Sequence, residues 1–429
     1  MAVLIRPLLR LALAAAITAG LAGAAGAGES FHWVQYVPGG IEGRAITDAP
    51  SCPAATIDGA AVAMNLRSGP GPNYPVRVCA VPIAAGAKLV TIDGIPLPLP
   101  IAHPNRILLI DDSGCRLKGK KVQDCNDAAM WPFRTGSDIA TLMKPDLVLH
   151  VGDYHYRESA CPPGNLGCAG APFGDTWDVW RADFFSPAEL LLDSAPWIFV
   201  RCNHEECDRG GKGWARILDP YPWSADAGRD GCLPGPAAPF TVDIGGVTIV
   251  VMDTSTADEE KANDQQAEVF RAQFQSVKNL APSGTVWLAF HRAIWSTDGS
   301  VALGRGGDNK TLALAAKDNI PENVQAFLSG HQHKFEVDAY QQDLPVQIVS
   351  GHGGDDLSPD APANPVGITV NGMTIVAGFA KPRTFGFSLL ERDPSDRLGM
   401  WTITDYDTLG RSLGRCRIEG RSVDCQALP

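Results

Sequence analysis

Leu147-Val148-Leu149-His150-Val151 runs straight into Gly152-Asp153-Tyr154-His155-Tyr156. A short apolar run that ends on a carboxylate and a group of polar rings has the form of a buried strand delivering side chains to a site. The form recurs along the chain. Arg106–Ile110 ends in Asp111-Asp112-Ser113-Gly114, and Trp197–Val200 ends in Arg201-Cys202-Asn203-His204-Glu205. Val286–Phe290 ends in His291-Arg292, and Ala326–Ser329 ends in Gly330-His331-Gln332-His333. Between several of these runs lie helical stretches, read at Asp138–Met143, Trp177–Leu192 and Gln265–Leu280. Strand, helix, strand is an α/β pattern, and such sheets place ligands beyond the carboxyl ends of their strands. Phe387–Leu390 and Trp401–Thr404 read as late antiparallel strands.

The rest of the chain frames this core. With 429 residues, 45% of them hydrophobic and 20% charged, it can bury a large interior, which excludes a wholly disordered protein. Its 45 Gly and 33 Pro predict many loops. A net charge of −12 argues against a nucleic-acid or acidic-membrane binder, since either needs a basic footprint. Arg6 and Arg10 precede an uncharged run, Leu11–Ala25, which ends in Ala25-Gly26-Ala27. Residues 1–27 are read as a secretory signal peptide cleaved after Ala27, because the run falls short of the ~20 residues that span a bilayer. The mature protein is therefore expected to be secreted or periplasmic and to have no membrane span. Residues 28–104 alternate in short segments punctuated by Gly and Pro, and are read as a small β domain with a Pro-rich linker at 95–100. Residues 105–429 form the main domain.

Export suits the 11 cysteines. Cys115/Cys125, Cys161/Cys168 and Cys416/Cys425 read as short-loop disulfides, with Cys52/Cys79 and Cys207/Cys232 next. Cys202 is left over.

Five strand ends carry Asp112, Asp153, Asn203, His291 and the pair His331/His333. Carboxylate, amide oxygen and imidazole together suit iron, zinc or manganese rather than a soft thiolate site. Singly, each residue has an ordinary reading as a helix cap, a turn or a polar loop. Their joint occurrence at successive strand ends is the signal.

In this order the blocks Asp112-Ser113-Gly114, Gly152-Asp153-x-x-Tyr156, Asn203-His204-Glu205, His291 and Gly330-His331-Gln332-His333 resemble those of calcineurin-like metallophosphoesterases. Tyr156 gives the set the look of the purple acid phosphatase branch. The resemblance implies an α/β (α+β) fold, a four-layer α/β/β/α sandwich, preceded here by the small N-terminal β domain. It implies two metals, one held by Asp112, Tyr156 and His333, the other by Asn203, His291 and His331, with Asp153 between them. The first metal would be Fe(III) and the second a divalent Fe, Zn or Mn. It further implies an enzyme that hydrolyses phosphomonoesters of small phosphorylated substrates with a metal-bridged hydroxide. His204 would orient the phosphate or protonate the leaving group, or else be a buried hydrogen-bonded histidine. Arg292 and His155 are candidate substrate contacts. Two other readings stand beside this one: a phosphodiesterase or nucleotide pyrophosphatase with the same metals, and a metal-containing binding protein without activity.

Two positions depart from the family pattern. Asp111 and Cys202 each stand where the family has Gly. Gly304–Thr311 is a failed P-loop, with Asn309 before Lys310, and Gly410-Arg411-Ser412-Leu413-Gly414 reads as a turn.

Overall fold

The structure is a computed structural model. It describes residues 30–298, 309–358, 360–393 and 399–429. The expected signal segment lies outside the described residues, as does most of the Gly304–Thr311 stretch.

Two large sheets carry the fold. The first has 11 strands, and its centre is Arg106–Ile110, Leu147–His150, Trp197–Phe199 and Ser30–Val37, all parallel. Gly386–Arg392, Trp401–Asp407, Ser412–Glu419 and Ser422–Ala427 extend one side as an antiparallel meander. The second sheet has eight strands, and its parallel centre is Val247–Val251, Thr285–Arg292, Val324–Gly330 and Val346–Ser350. Gly410–Gly414 falls at the reversal between Trp401–Asp407 and Ser412–Glu419, as the turn reading expects.

Side-chain alternation explains the layering. Ile107, Leu109 and Leu149 face Trp287, Ala289 and Leu328 across the space between the sheets. Their neighbours Leu108, Ile110 and Val148 face the other way, onto Phe184 and Leu191. Val286 and Leu288 likewise face Phe270 and Phe274 of the helix Asp264–Leu280. Strands buried on both faces read as continuous apolar runs, which is how they appear in the sequence. Helices on both outer faces of two packed sheets give the expected α/β/β/α sandwich.

The helical reading at Trp177–Leu192 differs in detail. The segment is broken into Trp177–Trp180, a wider turn at Arg181–Phe185, and Glu189–Leu192. Pro187 lacks the N–H that would continue the ladder. The helix read at 138–143 begins earlier, at Phe133.

Residues 30–104 are all-β. Ser30–Val37, Gly40–Thr47, Arg77–Ile83 and Asn65–Ser68 continue the 11-stranded sheet, with Gln35 in register with Trp197. Ala55–Ile57, Ala60–Val62, Val90–Ile92 and Ile95–Pro96 make a separate four-stranded sheet. The Pro-rich stretch read as a linker thus begins as a strand paired with Val90–Ile92. All five expected disulfides are present, and Cys202 is buried and free. Among the described residues, no helix is long and apolar enough to cross a membrane.

His32 on the first strand bonds Asp193 at 3.0 Å, and this partner raises the His32 pKa above 6.5. A raised histidine pKa adds stability that is fully present below the unfolded value and is lost as pH rises through the folded one. The melting temperature of His32→Asn should therefore fall short of the parent below about pH 6 and converge with it at alkaline pH, as thermal melts across pH 5–9 would show.

Candidate metal centre and its cleft

The parallel centres of the two sheets end on the same side of the molecule, and their carboxyl ends bring the candidate residues together. Asp112 and Asp153 both leave their strands with φ near +50°, a sharp turn that few non-glycine residues adopt. These turns are locked by backbone bonds from Asp112 N–H to Gly152 O and from Ser113 N–H to Asp153 O. Buried Asp183 anchors the neighbouring chain by accepting from the N–H groups of Tyr156 (2.9 Å) and Cys115 (3.2 Å).

On one side of the centre, the Tyr156 phenol oxygen lies 2.5 Å from Asp112 Oδ1, 2.8 Å from Asp153 Oδ2 and 3.3 Å from His333 Nε2. On the other, His291 Nε2 lies 3.2 Å from Asp153 Oδ2 and 3.1 Å from His331 Nδ1. Asp153 is therefore common to both groups. Asn203 lines the same cleft, and its Oδ1 is buried with no hydrogen-bond partner. The ring nitrogens facing away are occupied: His291 Nδ1 meets Val151 O at 3.1 Å and His333 Nδ1 meets Asp356 O at 2.5 Å. His331 Nε2 meets Glu259 at 2.8 Å. Such outer partners fix a ring's orientation and leave the inner nitrogen as a ligand.

This donor set fits two cations. An orphaned amide oxygen, paired imidazole nitrogens at 3.1 Å and crowded carboxylates are costly alone and are satisfied by bound cations. Burial, then Asp112 and Asp153, push the Tyr156 phenol well above its ordinary range, and a neighbouring cation reverses that preference. His333 is held up at about 9: burial lowers it, and Asp112 and Asp355 outweigh burial.

The two departures lie behind the ligands. Asp111 does not turn away from the centre: its Oδ2 accepts the His331 N–H at 2.9 Å and stands 3.4 Å from His291 Nδ1. Burial and Asp112 push its carboxyl well up. Cys202 packs its sulfur against the Asp153 N–H and Glu205, and burial raises the thiol pKa. Either residue has a ligand-type atom within 4.8 Å of others in the centre, in the groups Asp111/Asp112/His291 and Asp153/Cys202/His291.

The centre opens into a cleft of about 680 Å³ whose walls include Tyr156, Asn203, His204, His331, His333 and Arg209. His204 lies over the Tyr156 ring, with centroids 3.8 Å apart, and its Nδ1 meets His155 O at 3.0 Å and Glu158 at 2.8 Å. Burial lowers its pKa to about 4, against the pull of Asp153 and Glu158. His155 and Arg292 do not line this cleft. The His155 ring turns to Gly174 O at 3.0 Å, and Arg292 pairs with Glu259 at 2.8 Å beside His331. The sequence reading missed Glu158, Arg209, Glu259 and Asp183, which are single charged residues in loops or helices with no spacing to mark them.

A double-sheet α/β/β/α sandwich with two donor groups sharing one carboxylate defines the class: a metal-dependent hydrolase of phosphate esters. The family model for calcineurin-like phosphoesterases matches residues 128–335, a little under half of the chain. The match contains every block except Asp112, which lies just upstream. A search of curated proteins returns no significant match. Among solved structures, a purple acid phosphatase from yellow lupin seeds superposes with a TM-score of 0.58 at 14% identity, over 91% of this chain and 74% of that one. A structure of PhoD superposes with a TM-score of 0.53 at 11% identity, over 93% and 92%. At these identities the likeness is one of fold. The family implies a dinuclear metal site and a small phosphorylated substrate.

Proposed function

We propose that this chain hydrolyses phosphomonoesters at a pair of metal ions, one held by Asp112, Tyr156 and His333, the other by Asn203, His291 and His331, with Asp153 shared. The observation that carries the proposal is the Tyr156 phenol oxygen inside the ligand cluster, within 3.3 Å of Asp112, Asp153 and His333. A phenolate suits a hard trivalent cation, so we assign ferric iron to that side and a divalent iron, zinc or manganese ion to the other. When bound, such a pair supplies Lewis acidity to phosphoryl oxygens and acidifies water.

The chain's own residues do the rest. Val151 O and Asp356 O hold the His291 and His333 rings so that their Nε2 atoms face inward. His204 stands over Tyr156 at the cleft wall and orients the phosphate or protonates the leaving oxygen. Glu158, Arg209 and His155 O fix its ring. His155 and Arg292 are positioning residues, the first through its carbonyl and the second through Glu259. The likeness in fold to the lupin purple acid phosphatase supports the monoesterase reading. Five disulfides support an oxidising compartment, and with it secretion after cleavage of residues 1–27.

The test compares p-nitrophenyl phosphate with bis-p-nitrophenyl phosphate on residues 28–429 supplied with iron and zinc. The monoester is expected to be turned over at least about tenfold faster in kcat/KM. Faster diester hydrolysis makes the protein a phosphodiesterase. No hydrolysis of either by metal-loaded protein makes it a binding protein.

A further inference from the structure

The loop Cys115–Cys125 places Arg116, Lys118, Lys120 and Lys121 within six residues of a chain whose net charge is −12. It folds as a hairpin, Leu117–Lys118 against Lys121–Val122, turned at Gly119 with φ +58° and closed by the Cys115–Cys125 disulfide. Leu117 N–H donates to Tyr156 O at 3.1 Å, Ser159 N–H donates to Leu117 O at 2.9 Å, and Gly119 N–H meets Ser159 Oγ at 2.9 Å. Cys115, Leu117 and Cys125 pack with Cys168 in a small core of their own. The hairpin backbone is thus bound to the very segment that supplies Tyr156.

Arg116, Lys118 and Lys121 line the same cleft as Asp153, Tyr156 and His204, with Arg209 in the same wall. Their charges are only partly matched. Arg116 is committed to Asp355 at 3.0 Å and to the Tyr156 ring, 4.9 Å from its centroid. Arg209 at 2.9 Å and Lys118 at 3.2 Å share the single carboxylate of Glu158. Lys121 makes no ion pair with any described residue. Arg116, Lys118, Lys121 and Arg209 stand against Asp355, Glu158 and Asp356, so one positive charge is in excess at the mouth of the cleft, with Lys121 outside any ion pair. Bound metals would accommodate one phosphoryl group, which leaves these cations free for a second anionic group.

We propose that this hairpin is a subsite for a second anionic group, so that the preferred substrates are phosphomonoesters bearing another phosphate or a carboxylate. The proposal rests on the monoesterase reading of the cleft. A cationic hairpin on a fixed backbone favours such substrates by direct charge-assisted hydrogen bonds.

The test measures phosphate release by the metal-loaded protein from glucose 6-phosphate and from glucose 1,6-bisphosphate. The parent should favour the bisphosphate in kcat/KM on the order of tenfold at low ionic strength, and less in 0.5 M salt. Lys121→Gln with Lys118→Gln should erase most of that ratio, chiefly through KM, and Lys121→Arg should keep it. A ratio near unity in the parent, or one the double variant leaves intact, overturns the subsite while glucose 6-phosphate turnover keeps the monoesterase reading. Absence of turnover on both substrates overturns the two together.

Discussion

Asp153→Asn should abolish turnover of p-nitrophenyl phosphate, by a factor on the order of 10³ or more, and strip the protein of most of its metal. Asp153 meets side-chain donors on both sides of the centre, Tyr156 at 2.8 Å and His291 at 3.2 Å. The substitution keeps shape and volume, so stability is a poor explanation for the loss. Its carboxylate is also held ionised: burial opposes this, and His291 and His204 outweigh burial. An amide supplies neither the negative charge nor a second equivalent oxygen. Metal analysis alongside kinetics checks the result. A variant that keeps both metals and more than a tenth of its rate contradicts the shared role of Asp153.

Gly152→Ala should damage the centre by a single methyl. Gly152 has φ +130°, and a Cβ there would lie 2.6 Å from Cys202 Cβ and 2.7 Å from His291 Nδ1. The second clash pushes on the nitrogen that meets Val151 O, so it turns a ligand ring as well as straining the backbone. Together these effects cost about 3 kcal/mol or more. Gly164→Ala is the control: φ is +83° there too, and nothing lies within 4 Å of the added methyl. It isolates the backbone cost, about 1 kcal/mol. Thermal melts and metal content measure both variants. Equal losses in the two would contradict the crowding between Gly152, Cys202 and His291.

Those crowded positions show how far the sequence could be read. The strand centres were legible because burial on both faces leaves unbroken apolar runs, such as Leu147–Val151 and Val286–Phe290. Most candidate ligands were legible because they lie just beyond such runs, and strand direction carries them to one side of the molecule; Tyr156 was marked only by the family resemblance. Three of the five disulfides followed from short spacing, at sequence separations of 7 to 10 residues. What stayed hidden depends on contacts distant in sequence. Nothing local marks Glu259 as the partner of His331, 72 residues on, or Asp183 as the acceptor for Tyr156 N–H. The continuation of the 11-stranded sheet into residues 30–83 rests on one register, Gln35 opposite Trp197, that composition does not encode. Asp111 illustrates the reverse case. Alternation along a strand would point it away from Asp112, yet the turn at Asp112 with φ +50° brings both carboxylates to the His331 N–H at 2.9 Å.

The central assignment is two metals serving one hydrolytic site. Its most direct test is p-nitrophenyl phosphate hydrolysis by chelator-stripped protein as metal is returned in counted equivalents. Activity should be absent without metal, rise on addition and level off at two equivalents per chain. Full activity in the stripped protein, or a plateau at a single equivalent, would contradict the dinuclear centre built around Asp153.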